Sequence, residues 1–164
     1  MIDGGVRWYV VQTHAHAETK AAAHLERQGF ASYLPRYLKR RRHARRVEIV
    51  GTPLFPRYLF VSIDREKQRW ISIRSTIGVT RLVCNGDEPV SLQASVVDEL
   101  RSREVGGFVQ LERRRFSPGD RVRITDGVFS SCLGLYEGMR DDERVTVLLD
   151  LLGRRFALSS MISQ

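Results

Sequence analysis

The stretch "FPRYLFVSI", residues 55–63, decides the fold because both of its faces are apolar. Alternate side chains of an extended strand point to opposite faces of a sheet. One face carries Leu59, Val61 and Ile63, and the other carries Tyr58 and Phe60, with Phe55 just upstream. Such a strand either lies beneath helices on both faces or leaves its aromatic face open as a surface for a partner. Composition alone leaves both interpretations open.

The segments around this strand alternate between strand and helix patterns. Aromatic and β-branched residues predict strands at 7–13, 30–34, 47–50 and 79–83. Residues rich in Ala, Glu, Lys and Leu predict a first helix within "HAETKAAAHLERQGF" (16–30), ended by Gly29. Further helices are expected at 65–77 and 95–104. The first hundred residues therefore predict an α/β sandwich, with helices packed on a sheet.

The pattern changes at Gly106. Residues 106–116 have glycines and a charge run without a period, which is typical of a linker. From residue 117 onward, "GDRVRIT" (119–125) and "RVTVLLDL" (144–151) follow the period of two that indicates strands. About five short strands in residues 117–164 predict a small β-barrel, because a small sheet hides its edges by closing. The fold class is thus α+β in two domains.

Charge and composition limit the function. The 164 residues carry a net charge of +8, which favours a polyanionic partner such as nucleic acid. No apolar run reaches the roughly 20 residues of a membrane span, so we expect no membrane partner. Two cysteines far apart in sequence fit a reducing cytoplasm. The chain has no phosphate-binding loop, CxxC pair or nucleophile elbow, and we expect no enzyme activity, metal or cofactor.

Two groups of basic residues are candidates for nucleic-acid binding. The run "RYLKRRRHARR" (36–46) predicts an exposed loop or hairpin tip that contacts DNA or RNA phosphates. Its candidate residues are Lys39, Arg40, Arg41, Arg42, Arg45 and Arg46. A basic face of the first helix, with a cation in the following helix, is the candidate for base-specific reading. These residues are Lys20, His24, Arg27 and Arg74.

Several motifs resemble one family in order and spacing. These are "WYVVQT", "HLERQGF", "PLFPRYLFVSI", "TIGVTRLV", "FSPGDRVRITDGVF" and "VTVLLDLLGRRFAL", which together span nearly the whole chain. They resemble the NusG transcription factors, and "HLERQGF" with "PLFPRYLFV" is more similar to specialised RfaH-like paralogues. The resemblance implies an N-terminal NGN domain (1–105), which is an α/β sandwich with an antiparallel sheet flanked by helices. It also implies a linker (106–116) and a small C-terminal SH3-like KOW barrel (117–164).

The resemblance also implies partners. Phe55, Tyr58 and Phe60 match the groove that holds the clamp helices of the largest catalytic RNA polymerase subunit, and a closed clamp disfavours pausing. The NGN domain would also reach non-template DNA. Phe129 matches the KOW surface that recruits a ribosomal protein or a termination factor. Ile77 replaces the polar or basic residue of an RfaH-like DNA reader, so recruitment to a DNA element is not indicated there.

These observations predict a cytoplasmic, monomeric elongation and antitermination factor specialised for particular operons. One alternative is the housekeeping factor that acts genome-wide, and another is a ribosome- or RNA-binding protein that works through its barrel. A structural alternative also exists for the C-terminal segment. In RfaH-like relatives it packs as a helical hairpin over the aromatic groove. The β-branched residues and the glycines at 127, 134, 138 and 153 favour the barrel.

Overall fold

The computed structural model describes residues 5–112 and 135–153. Its centre is a five-stranded antiparallel sheet in the order β2-β5-β1-β6, with β9 also paired to β1. The strands of this sheet are β1 (Arg7–Thr13), β2 (Ala31–Tyr33), β5 (Tyr58–Ile63), β6 (Val79–Leu82) and β9 (Ser91–Leu92). The motif "FPRYLFVSI" thus supplies a central strand, held between β1 and β2.

Three two-stranded hairpins accompany the sheet within residues 5–112. They are β3–β4 (Arg36–His43 and Arg46–Pro53), β7–β8 (Cys84–Asn85 and Glu88–Pro89) and β10–β11 (Glu104–Val105 and Phe108–Val109). The helices among the described residues are α1 (Glu18–Arg27), a 3-10 helix (Trp70–Ser75), α2 (Ala94–Ser102) and α3 (Asp141–Leu151). The helix predicted at 65–77 is therefore a shorter 3-10 turn. The α+β fold class, with helices packed on an antiparallel sheet, is confirmed for the N-terminal part of the chain.

Each face of the central sheet has its own core. Leu59, Val61 and Ile63 pack with Ala21 and Leu25 of α1. The opposite face, carrying Phe55, Tyr58 and Phe60, packs beneath α2 and α3. Strand alternation sorts the motif in this way because its apolar residues occupy both odd and even positions. The two faces of the strand were therefore predicted correctly, and helices cover both of them.

The strand predicted at 144–151 is wrong in this structure, which has α3 at Asp141–Leu151 instead. The helix begins with three acidic residues, which suit the positive end of a helix dipole. Its polar residues Asp142, Thr146 and Asp150 recur every four positions, so the opposite side can be buried. Leu148 and Leu149 lie on that side, at 0% and 8% exposure. The sequence also predicts a short strand in "GLYEGM" (134–139), but residues 135–139 contain only an isolated bridge at Tyr136 and a turn. The barrel strands predicted at 119–125 and beyond residue 153 lie outside the described residues.

Gly78 makes the tight connection between the 3-10 helix and β6. Its φ is +89°, and a Cβ there would lie 3.1–3.2 Å from the backbone N, Cα and Cβ of Ala21 in α1. Gly86 also has a positive φ, +64°, but a Cβ there would meet open space. A side chain at Gly78 would therefore cause both backbone strain and a steric clash, whereas a side chain at Gly86 would cause backbone strain alone.

We expect Gly78→Ala to lower the free energy of unfolding by about 2–3 kcal/mol, since strain and a clash with α1 add together. Gly86→Ala, the matched control, should cost only about 1 kcal/mol, from strain alone. Urea unfolding followed by tryptophan fluorescence measures both. Equal losses in the two variants would show that the contact with Ala21 contributes nothing.

Candidate functional site

The aromatic surface consists of Phe55, Tyr58 and Phe60, and the structure brings all three together as predicted. Phe55 packs edge-on against Phe60 with ring centroids 6.0 Å apart, and Tyr33 of β2 lies 6.1 Å from Phe60 on another side. The exposed fractions of Phe55, Tyr58 and Phe60 are 2%, 7% and 0%. The surface is therefore completely covered in this structure.

The cover comes from α2 and from the C-terminal helix α3. Val97 and Leu100 of α2 belong to the same buried cluster as the three aromatic residues. Leu148, Leu149 and Leu152, at the end of α3, complete that cluster. A helix that buries its apolar side against an aromatic sheet face uses the helix-in-groove mode of recognition, here within one chain.

Arg144 attaches the start of α3 to the N-terminal part. Only 1% of its surface is exposed, although arginine is rarely buried. Its Nε donates to the carbonyl of Leu54 at 2.8 Å, and its guanidinium lies 4.8 Å from the centre of the Tyr37 ring. It also donates to the Met139 carbonyl and to the Asp141 carboxylate. Each of the three guanidinium nitrogens therefore donates a hydrogen bond, as a buried arginine requires.

The turn before the aromatic strand is held in an uncommon conformation. Arg57 has a φ of +72°, which is rare for a residue with a side chain. Its amide donates to the buried Glu18 carboxylate at 3.1 Å, and the Thr13 amide donates to its carbonyl at 2.8 Å. Glu18, at the start of α1, thus fixes where Tyr58 begins its strand. Sequence reasoning missed both Glu18 and Arg144, because nothing local marks a charged residue as buried.

Cations also border the aromatic surface. Arg101 of α2 lies 5.2 Å from the Trp8 ring centre and 4.8 Å from that of Tyr33. The Tyr33 hydroxyl donates to Glu104 at 2.6 Å. Burial, followed by this hydrogen bond, raises the pKa of Tyr33 well above its usual range. Burial also raises the pKa of Tyr58 and of Tyr37, and neighbouring arginines oppose both shifts.

The basic run 36–46 forms most of the β3–β4 hairpin rather than a loop. Its candidate residues are all exposed: Lys39, Arg40, Arg41, Arg42, Arg45 and Arg46. The expected hairpin tip is present at Ala44 and Arg45, whose φ values are +47° and +67°. Positive φ at both central residues is what a type I′ turn requires. The arginines therefore lie along a projecting two-stranded ribbon.

The second basic group lies around α1. Lys20 and Arg27 are exposed, and His24 is half-buried. Gln28 of α1 donates to Thr76 at 2.8 Å and so joins this helix to the end of the 3-10 helix that carries Arg74. The structure thus places the α1 residues and Arg74 on neighbouring elements.

Arg74 is exposed and lies 5.5 Å from the centre of the Trp70 ring, which Arg65 also approaches at 5.1 Å. Ile77 nearby is 55% exposed. Phe129, the predicted KOW contact, lies outside the described residues. Within residues 5–112 and 135–153, no group of acidic, histidine or cysteine side chains has the geometry of a metal site. Nor does any helix of those ranges have the length and apolar character that crossing a membrane demands.

Comparisons with known proteins agree on one family. The sequence profile described as transcription termination factor NusG matches residues 6–101. The transcription termination/antitermination protein NusG of Chlamydia pneumoniae is 29% identical, over 90% of this chain and 87% of the relative. The protein of the same name from Thermus thermophilus is also 29% identical, over 97% of both chains.

A solved structure described as "Domain interaction in Thermotoga maritima NusG" aligns with this chain at a TM-score of 0.44 and 22% sequence identity. The alignment covers 72% of this chain and 69% of that one. The profile match includes the sheet, α1, α2 and the whole aromatic surface. Because the profile spans more than half of the 164 residues, the chain belongs to the NusG family of transcription termination and antitermination factors.

Proposed function

We propose that this chain is an elongation and antitermination factor that binds the clamp helices of RNA polymerase through Phe55, Tyr58 and Phe60. The observation that carries the proposal is the position of α3. A helix already lies on this aromatic surface through its leucines, with Leu148 fully buried in the shared cluster. A surface that accepts one helix in this way is suited to the helices of a partner.

The proposed mechanism needs no reaction chemistry and takes place in the cytoplasm. Binding to the clamp helices across the DNA cleft would favour the closed polymerase, and so would suppress pausing by shifting a conformational equilibrium. Because α3 and the clamp helices would use the same surface, the form described here is autoinhibited. The affinity for polymerase is then reduced by the fraction of molecules in which α3 is docked.

The remaining partners are proposed on charge and on family resemblance. The β3–β4 hairpin and the α1 group would contact non-template DNA or other nucleic-acid phosphates, since phosphate contacts position a protein on its template. The proposed domains are the NGN domain at 1–105, the linker at 106–116 and the KOW domain at 117–164. Released from the groove, the KOW domain would recruit a ribosomal protein or a termination factor through Phe129.

The covered surface favours a specialised, operon-restricted factor over a housekeeping one. A factor that serves every polymerase has no use for a docked helix that lowers its affinity, whereas a restricted factor benefits from it. The other alternative, a ribosome- or RNA-binding protein, would not need the aromatic surface at all.

Capture of core RNA polymerase by the tagged full-length chain carrying Arg144→Ala tests the proposal, because this substitution removes contacts that hold α3 on the aromatic surface. We expect the chain to capture polymerase. An excess of free clamp helices should abolish that capture, because they would occupy the same aromatic surface as the clamp helices of polymerase. Capture of ribosomes without polymerase would contradict the proposal. Genome-wide occupancy then separates the two kinds of factor, since a specialised one should occupy few operons.

A further inference from the structure

The β3–β4 hairpin has two chemically different faces. Residues that face each other across the ladder share a side of the ribbon, and sides alternate along each strand. The register pairs Arg40 with Ile49 and Arg42 with Val47, so these four share one face with Leu38. We call Leu38, Arg40, Arg42, Val47 and Ile49 the mixed face. Lys39 and Arg41 lie on the other face, where Arg41 is opposite Glu48.

The mixed face exposes large apolar groups between its arginines. Leu38, Val47 and Ile49 are 49%, 58% and 64% exposed. At the base of the hairpin, the Phe108 ring lies against Gly51 and beneath the guanidinium of Arg36. This ring covers the base of the mixed face. The open part of the mixed face is therefore a patch of aliphatic side chains flanked by arginines. An exposed apolar patch of this kind indicates a binding surface.

The charge of the hairpin selects the class of partner. Residues 36–53 contain seven lysines and arginines and one acid, so they carry +6 of the net +8 of the chain. A cationic surface this dense favours a polyanion over an ordinary protein surface. Apolar side chains among the cations require a ligand that also offers apolar groups between its phosphates.

We propose that the hairpin lies as a β-ribbon in the major groove of duplex DNA, with the mixed face toward the bases. This rests on the nucleic-acid contact proposed above and names its ligand and its geometry. The major groove of B-form DNA is about 12 Å wide and admits a two-stranded ribbon, whereas that of RNA duplexes is too narrow for side chains. Strands of eight residues extend about 26 Å, which is more than the groove depth of about 8.5 Å.

The chemistry of the groove matches the mixed face. Arginine donates two hydrogen bonds to guanine O6 and N7, which suits Arg40 and Arg42. Thymine presents its C5 methyl group there, which suits Val47 and Ile49. Lys39 and Arg41, on the other face, remain available for the phosphates. The ribbon would thus add base contacts to an electrostatic tether.

The docked C-terminal segment determines from which end DNA approaches. A cleft of about 1160 Å³ separates the hairpin from the start of α3, and its hairpin side is lined by Tyr37, Leu38, Lys39, Arg40 and Ile49. Glu137, Asp141 and Asp142 line the same cleft and would repel phosphates. Arg42 and Val47 do not line it, so the duplex meets the ribbon at its tip.

A charge-matched pair of variants tests which face is used. Arg40→Gln with Arg42→Gln, on the mixed face, and Lys39→Gln with Arg41→Gln, on the other, each remove two charges from exposed positions of β3. We expect the mixed-face pair to weaken binding to a short fluorescent DNA duplex at least about tenfold more than the control pair. Equal losses would overturn the proposal, as would binding of single-stranded DNA or duplex RNA as tight as that of duplex DNA.

Base analogues test contact with the groove itself. Val47→Thr with Ile49→Thr keeps β-branched residues and removes apolar contact, so the ribbon should persist. Replacing thymine by uracil removes the methyl group and should weaken wild-type binding several-fold, but should leave this variant unchanged. A wild-type chain that binds both duplexes equally would contradict the proposal. Capture of polymerase by the Arg144→Ala chain reports on the proposed function separately, because the duplex measurements contain no polymerase.

Discussion

Arg144→Ala should release α3 and raise the affinity of the full-length chain for the polymerase clamp helices. The substitution removes the bonds to the Leu54 and Met139 carbonyls, the ion pair with Asp141 and the contact with the Tyr37 ring. Leaving the Leu54 and Met139 carbonyls without their donor costs about 3 kcal/mol in all. That corresponds to about a hundredfold shift away from the docked form. Affinity should rise until released molecules predominate.

Arg140→Ala is the matched control for this change. Arg140 lies four residues earlier and pairs with Asp142 and Glu143 of its own helix, on the exposed surface. Its loss should leave the affinity unchanged. Titration with the isolated clamp helices measures affinity, and carbon chemical shifts across 141–151 report whether α3 persists. An Arg144→Ala chain that keeps helical shifts and wild-type affinity would show that Arg144 does not hold the docked form.

Tyr58→Ala with Phe60→Ala should abolish binding to the clamp helices, measured in the Arg144→Ala background so that docking of α3 does not obscure the result. Each aromatic anchor at the centre of an interface contributes roughly 2 kcal/mol or more. The two losses together correspond to roughly a thousandfold loss of affinity. The α1 side of strand β5 is unchanged and continues to hold the sheet.

Two further variants distinguish a loss of polymerase binding from a loss of core packing. Phe60 is fully buried against Phe55 and Tyr33, so its truncation also weakens the core. Tyr58→Ala alone, at the edge of the cluster, should still cost about thirtyfold in affinity. Trp70→Ala removes an aromatic ring outside the aromatic cluster and should leave binding unchanged. Unchanged affinity in folded Tyr58→Ala would rule out the aromatic surface as the polymerase site.

The N-terminal fold was accessible from sequence because its signals agree. Alternation in "FPRYLFVSI" placed Leu59 and Phe60 on opposite faces, and the structure confirms both placements. Gly29, predicted to end α1, follows that helix with a φ of +92°. Local propensity, apolar period and turn chemistry lead to the same elements there.

The sequence did not decide in favour of the C-terminal helix, which was only the alternative to a barrel, because residues 144–151 satisfy two periods. As a strand, residues 144–151 would place Val145 and Val147 on one face and Thr146 on the other. As a helix, they align Thr146 with Asp142 and bury Leu148. Contacts far along the chain, with Leu54 and Tyr37, decide between these structures. Propensity is a weak prior that such tertiary contacts override.

Long-range contacts also explain what was missed at the candidate site. The amide that Glu18 accepts from belongs to Arg57, and the cation that stacks on Tyr33 belongs to α2. Neither pairing has a local sequence pattern. The basic hairpin was found because seven cations within 36–53 are visible without any contact. Its two faces became apparent only from the register of β3 and β4.

The short connection into α3 sets how strongly a partner must compete. Glu112 and Tyr136 form a bridge, and the Glu137 amide donates to the Glu112 carbonyl at 2.7 Å. While that bridge holds, only residues 138–140 separate an anchored backbone from α3. A tether this short keeps a binding element at an effective concentration on the order of millimolar. Free polymerase at far lower concentration would then rarely displace α3, so access to the aromatic surface would be gained chiefly by partners already held beside it.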